Sequence, residues 1–195
     1  MANEQSPEEI HAHMEGVGNY ALTWVELVTK IFRWDMAMAT ATEELREGFV
    51  DGWLAGAVQT GELTAGESEG FRNAVLGGDF SHPRFDRFAI ANFRYFSRML
   101  DDARDNLAIG SRPRPFDLDH EDVTFVDYRE LPEGSRQSPT GVGAVPSTDM
   151  DVLLVVRVKH VDGAMQVAHV EFNPDHVAAR ESDPGPAWEL EEGLG

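Results

Sequence analysis

The hydrophobic period of this chain changes once, near Gly110, and that change limits the folds open to it. Before it, apolar residues recur at three- and four-residue steps; after it, they alternate or run in short β-rich segments. Helices first and strands second predict an α+β fold, with the two kinds of element segregated. The expected organisation is a helical portion over 1–110, a portion containing a β-hairpin over 111–175, and an acidic extended tail over 176–195. No internal repeat is visible.

In the helical portion Tyr20, Trp24, Leu27, Val28, Ile31 and Met38 form a stripe, which Val25, Phe32 and Met36 broaden. A helix apolar over so wide an arc is buried on more than one side, in a bundle or against a partner. A second helical stretch carries Leu45, Phe49, Trp53 and Leu54, and either continues the first or follows it. A short helix is expected from Ala65 to Leu76, ended by Gly77 and Gly78. The strongest helical pattern places Phe85, Ala89, Asn92, Phe96, Met99, Ala103 and Leu107 on one face, with Ser81 as N-cap, Pro83 in the first turn and Gly110 as the stop.

Beyond Gly110, residues 111–122 hold Pro113, Pro115 and several acids, and read as a connector. Val123 to Tyr128 alternates like a strand. Residues 132–149 are rich in Pro, Gly, Ser and Thr, which predicts a long loop. The clearest local signal is Val152 to Val161, then Asp162-Gly163, then Ala164 to Phe172: two β-rich runs joined by the dipeptide that a type I′ turn favours. From Asn173 onward, Pro174, Pro184, Pro186 and the acids predict extended chain.

Charge constrains habitat and partners. The 195 residues carry 35 Asp or Glu against 16 Lys or Arg, a formal charge of −19. Lysine occurs only at Lys30 and Lys159, and there is no cysteine. Together these match the composition of haloarchaeal proteins or of viruses infecting such hosts. At molar salt the Debye length is about 3 Å, so surplus carboxylates repel little while their hydration keeps the surface soluble. Arginine in place of lysine also marks GC-rich bacteria and their phages, but GC content alone does not explain the full −19. With 42% hydrophobic residues the chain has material for a core, which separates it from disordered chains. The missing cysteine excludes disulfides, thiolate catalysis and Cys-based zinc sites. No membrane span and no signal peptide are legible, so the expected location is the cytoplasm or a virion. General binding to phosphate backbones is disfavoured by the charge.

That charge is uneven: −7 over residues 1–60, zero over 61–114 and −12 over 115–195. The neutral middle holds Arg84, Arg87, Arg94 and Arg98 toward the start of the helix near 84–105, and Asp101, Asp102 and Asp105 toward its end. The helix dipole prefers the reverse order, by about 0.3–1 kcal/mol per charge at low salt. Arg87, Arg94 and Arg98 fall on a stripe opposite the phenylalanines. They meet either the acidic surface of a neighbouring subunit or the chain's own acidic parts. No glycine-rich loop accompanies them to hold a phosphate.

Other constellations are weak. His11 and His13 point to different sides of a helix. With a two-residue turn, His160 pairs with Met165 and Val156 with His169. This puts both histidines on one face, but about 13 Å apart at ~3.3 Å per residue, too far for one zinc without a bulge. Asp117, Asp119, Glu121 and Asp122 around His120 lack the glycine and glutamate register of a calcium loop. No G-x-S-x-G, H-E-x-x-H or P-loop occurs, and the pairs Gly16/Gly18 and Gly141/Gly143 lack the dinucleotide fingerprint. No metal, cofactor or catalytic residue is therefore assigned. Trp24, Trp34 and Trp53 fit a core. Trp188, flanked by Pro186 and Leu190 in an acidic tail, has the character of a docking anchor, or else folds back on its own domain.

The leading expectation is a non-catalytic assembly subunit of a larger complex, homo- or hetero-oligomeric, contacting other protein subunits through Arg87, Arg94, Arg98, Trp188 and Leu190. Its most concrete form is a virion part such as a head–tail connector or tail protein of a haloarchaeal virus. The alternative is a soluble halophilic enzyme or ligand-binding protein with a pocket between the helices and the hairpin, using His160, His169 and Arg94.

Overall fold

A computed structural model describes residues 7–110, 120–130, 142–143 and 152–182. It is an α+β protein: helices occupy the N-terminal part, and a small sheet of four antiparallel strands follows. The helices are α1 (Pro7–Thr29), α2 (Trp34–Ala39), α3 (Glu43–Gln59), α4 (Ala65–Leu76) and α5 (Phe85–Leu100). The strands are β1 (Leu107–Gly110), β2 (His120–Asp127), β4 (Leu154–Val161) and β5 (Ala164–Phe172), with a two-residue β3 (Val142–Gly143) parallel to β1 at one edge. The order is β3-β1-β2-β4-β5. The hairpin is thus no free-standing arm but two strands of the sheet.

Helices α1, α3 and α5 cover one face of the sheet, and the core lies between. The sheet contributes Ile109, Val123, Phe125, Leu154, Val156, Val158, Val167 and Phe172. The helices contribute a cluster of rings. Trp34 lies edge-on to Phe49, Phe88 and Phe96 at 5.6, 6.0 and 5.7 Å, and Phe96 meets Phe172 of β5 at 5.1 Å. Edge-to-face pairs of this kind add about 0.5–1.5 kcal/mol each beyond the area they bury. The Trp24 indole N–H donates to the Ala37 carbonyl at 3.0 Å and ties α1 to α2.

Local rules explain several boundaries. Thr64 caps α4 in a capping box with Glu67, so that helix falls on Ala65–Leu76 as its apolar pattern predicts. The stripe from Tyr20 to Met38, in contrast, is broken. Phe32 takes a positive φ of 54°, in the position where a helix usually ends on glycine, and its neighbour Arg33 closes back on Leu27 with an N–H···O bond of 2.9 Å. Helix α5 starts later and stops sooner than expected. Ser81 is not its cap: its N–H and hydroxyl serve the Asp79 carboxylate in a turn, and Arg84 holds the N-cap position without a side-chain bond. At the other end Asp101 turns left-handed at φ 42°, and a 3₁₀ segment Asp101–Asn106 leads into β1, so Ala103 and Leu107 leave the helical face. With ψ at −127° Asp101 lies outside the helical region, and acidic residues at the negative end of the dipole oppose continuation.

The hairpin turns at Asp162 and Gly163, with φ of 52° and 82°, as a type I′ turn requires. His160 pairs with Met165 as expected, but Val156 pairs with Val170, and His169 falls opposite Arg157. A β-bulge intervenes: Val158 pairs with Val167 and Arg157 with His169, which leaves Ala168 as the extra residue. Val167, Val170 and Phe172 thereby share the core face.

The outer edge of β5 is covered in part. Thr42 N–H donates to the Val167 carbonyl at 2.8 Å, Val167 N–H donates to Thr40 at 3.0 Å, and the Tyr20 hydroxyl donates to Met165 at 2.6 Å. Such a cover blunts the tendency of an open strand edge to recruit another chain. Residues 174–182 also differ from the expected extended tail. They form α6 (Pro174–Ser182), with Pro174 at the first helical position and the Asn173 side chain accepting from Asp175 N–H at 3.0 Å. The half-buried His176 Nε2 bonds the Met99 carbonyl, which fixes a proton on that nitrogen and docks α6 on the end of α5.

Candidate interaction surface

Helix α5 buries Phe85, Phe88, Ala89, Phe96 and Met99. At 100° per residue, Arg87, Arg94 and Arg98 lie within about 40° of one another on the opposite side. All three are exposed. They do not share one electrostatic state. Arg87 donates to Glu62 at 2.6 Å and so pairs within the chain. Arg98 is engaged as well. Arg94 makes no ion pair or hydrogen bond with the described residues. Behind the stripe, Arg84 approaches Glu67 at 3.5 Å, and Arg72 joins Asp51 and Glu47 at 2.9 Å each. Arginines at the start of α5 are thus met by Glu62 of the α3–α4 turn and Glu67 of α4, α3 pairs instead with Arg72 of α4, and Arg94 is left over among the described residues.

Beside Arg94 lies a feature that residue spacing does not announce. Phe93 is half-buried, and its ring meets the edge of Phe32 at 5.3 Å. Phe32 is 41% exposed and its neighbour Ile31 56%. Both protrude because α1 ends beneath them, so two residues that belong to the buried stripe on a helical reading are turned outward by the left-handed step at Phe32. Arg33 and Asp35 close the corner with paired bonds of 2.8 and 2.7 Å. That contact holds the Asp35 carboxyl below the usual carboxylate range. The signals available in the sequence were the absence of a glycine at the helix end and two large apolar residues directly after Lys30.

The outer face of the sheet carries a polar row. Asp122, Arg157 and His169 sit side by side across β2, β4 and β5. Arg157 grips Asp122 through Nε at 2.7 Å and Nη2 at 3.1 Å, and the Asp122 carboxyl is only 4% exposed. The bond to Asp122, with the field of Glu171, raises the basicity of Arg157 further. His169 approaches Glu171 at 3.6 Å, and Lys159 approaches Glu44 at 3.8 Å. This is charge paired by charge on a strand face.

The other sequence candidates fall as follows. His160 sits exposed near the hairpin tip, on the face opposite to His169 because of the bulge, and Arg94 lies on α5. The trio of the enzyme alternative is therefore not brought together. Among the described residues no group of three His, Cys, Asp or Glu side chains is placed to hold a metal ion, and no helix is long and apolar enough to cross a membrane. Glu121 and Asp122 of the acidic run belong to β2, not to a cation loop. Trp188 and Leu190 lie outside the described residues. No protein-family model, no curated protein and no solved structure matches this chain.

Proposed function

We propose that this protein is a non-catalytic assembly subunit, which contacts other protein subunits through the exposed flank of α5 and through Trp188 and Leu190 of its acidic C-terminal segment. The observation that carries the reading is an apolar corner next to a left-over cation: Ile31 and Phe32 exposed against Phe93, followed by Arg94, which has no partner among the described residues of a chain with a formal charge of −19. In so acidic a molecule an arginine without a partner among the described residues attracts acidic segments of other subunits. The apolar corner supplies contact area that salt does not screen. The specific form we advance is a virion part, such as a head–tail connector or tail component, from a virus of a haloarchaeal host. Composition alone supports that form.

The test is charge reversal on the stripe. Arg94→Glu together with Arg98→Glu should reduce assembly in multimolar KCl while the far-ultraviolet circular dichroism stays unchanged. Assembly at undiminished strength would remove the stripe from the interface.

A further inference from the structure

We propose that the corner formed by Ile31, Phe32 and Phe93, with Arg94 beside it, receives the acidic segment 183–195 of a second copy of this chain, with Trp188 and Leu190 seated on the rings. The inference deepens the assembly reading and rests on it.

Three observations converge on the corner. First, Phe32 holds a positive φ of 54° at the end of α1, a position that glycine fills without strain. A bulky residue there is costly, and the ring contact it makes among the described residues is an edge contact to Phe93. Strain kept at an exposed site points to a use outside the monomer. Second, Ile31 and Phe32 are among the most exposed large apolar residues of the described chain. Third, Arg94 follows Phe93 directly and has no partner among the described residues.

The complementary element is in the same sequence. Residues 183–195 contain Asp183, Glu189, Glu191 and Glu192, no Lys or Arg, and the apolar residues Ala187, Trp188, Leu190 and Leu194. Tryptophan and arginine dominate the energetics of protein contacts, and here the corner offers the arginine and the segment the tryptophan. Geometry favours a second copy over the chain's own segment. Tyr95 meets Phe172 at 5.7 Å and His176 bonds Met99, so β5 and α6 lie on the Tyr95–Met99 flank of α5. Phe93 points about 120° away from Met99 and about 160° away from Tyr95 around the helix axis. Half a turn around a helix of ~10–12 Å diameter is a path of about 17 Å. Six residues from Ser182 to Trp188 span about 20–22 Å when fully extended. The chain's own segment would have to be drawn out nearly straight to bring Trp188 to the rings, a loss of chain entropy that a neighbour's segment does not carry.

Complementation between two full-length variants tests this. One carries Trp188→Ala with Leu190→Ala; the other carries Phe32→Gly with Arg94→Glu, where glycine adopts the left-handed step with less strain and so protects the fold. Each is labelled with a different dye and followed by sedimentation in multimolar KCl. Each alone should self-associate at least about tenfold more weakly than the unsubstituted chain. A one-to-one mixture should restore a complex holding both dyes, because an intact corner then meets an intact segment. Variants that associate like the unsubstituted chain would overturn this contact and leave the assembly reading standing. Weakened variants that fail to complement would overturn the second copy in favour of the chain's own segment. An unsubstituted chain that stays monomeric at every concentration would instead remove the assembly reading itself.

Discussion

Helix α3 carries Gly48, Gly52 and Gly56 at four-residue steps, and a Cβ placed on any of them would meet nothing within 4 Å. All three are exposed, on the side away from the buried Val50, Leu54 and Ala57. Nothing inside the described chain requires them to be glycine. An exposed helix-interior glycine costs about 0.8–1.0 kcal/mol relative to alanine, because the unfolded chain has more backbone freedom to lose. Replacing all three by alanine should therefore stabilise the protein by roughly 2–3 kcal/mol, since the sites share no partner and add nearly independently. For a chain of this size that corresponds to a rise of about 5–10 °C in Tm, from about 2–4 °C per kcal/mol. Thermal unfolding followed by circular dichroism in multimolar KCl measures it, with the native mass checked alongside. A Tm that falls, or a particle that dissociates, would refute the reasoning. It would mean that the glycine face of α3 is itself covered in the assembly, and the contact surface would move from α5 to α3.

Other consequences follow from single contacts. Tyr20→Phe removes hydroxyl bonds to the carbonyls of Met165 and Thr40, and should cost about 1–2 kcal/mol with faster amide exchange at Val167; unchanged exchange there would deny the tie between α1 and the hairpin. Arg157→Met takes the guanidinium away from the nearly buried Asp122 carboxylate and should destabilise by about 2–4 kcal/mol, whereas Arg157→Met with Asp122→Leu should recover most of the loss; equal losses in the two variants would contradict it. Hydrogen bonds hold the carboxyls of Asp35, Glu67, Asp79 and Asp127 below their ordinary values, from Arg33, Thr64, Ser81 and Arg129 respectively. Depressed folded-state values contribute stability that is complete above the unfolded value near pH 4 and is lost as pH falls through the folded values. At fixed molar salt Tm should hold from pH 7 to about 5 and drop below pH 4, and a Tm that climbs in acid would show that relief of carboxylate repulsion outweighs these bonds.

The sequence made some of this fold legible and hid the rest for identifiable reasons. Helix α4 and the turn at Asp162-Gly163 were readable because each is decided by its own residues, a glycine stop in one case and two positive-φ positions in the other. The break between α1 and α2 was not, because Phe32 makes a left-handed stop with a residue that favours neither the stop nor exposure. The bulge at Ala168 was hidden for a related reason. Alternation is broken between Val167 and Val170, but a pairing register counted outward from the turn cannot show where the extra residue goes. The spacing of Ala103 and Leu107 extends the helical pattern of α5 beyond its true end, which comes at Asp101. Asn173-Pro174 reads as the start of an extended tail by its proline and the acids beyond, although an asparagine cap followed by proline also opens a helix, which it does here. At the candidate surface, the placement of Arg87, Arg94 and Arg98 on one exposed stripe followed from helical periodicity. That Glu62 claims Arg87 while Arg94 has no partner among the described residues depends on how α5 packs against its neighbours, which spacing within one helix does not encode.

The assembly account stands or falls on the mass of the native particle. Light scattering coupled to size exclusion in multimolar KCl, over a hundredfold range of protein concentration, should give a complex several times the 21.6 kDa of one chain. A single species at 21.6 kDa throughout would contradict it.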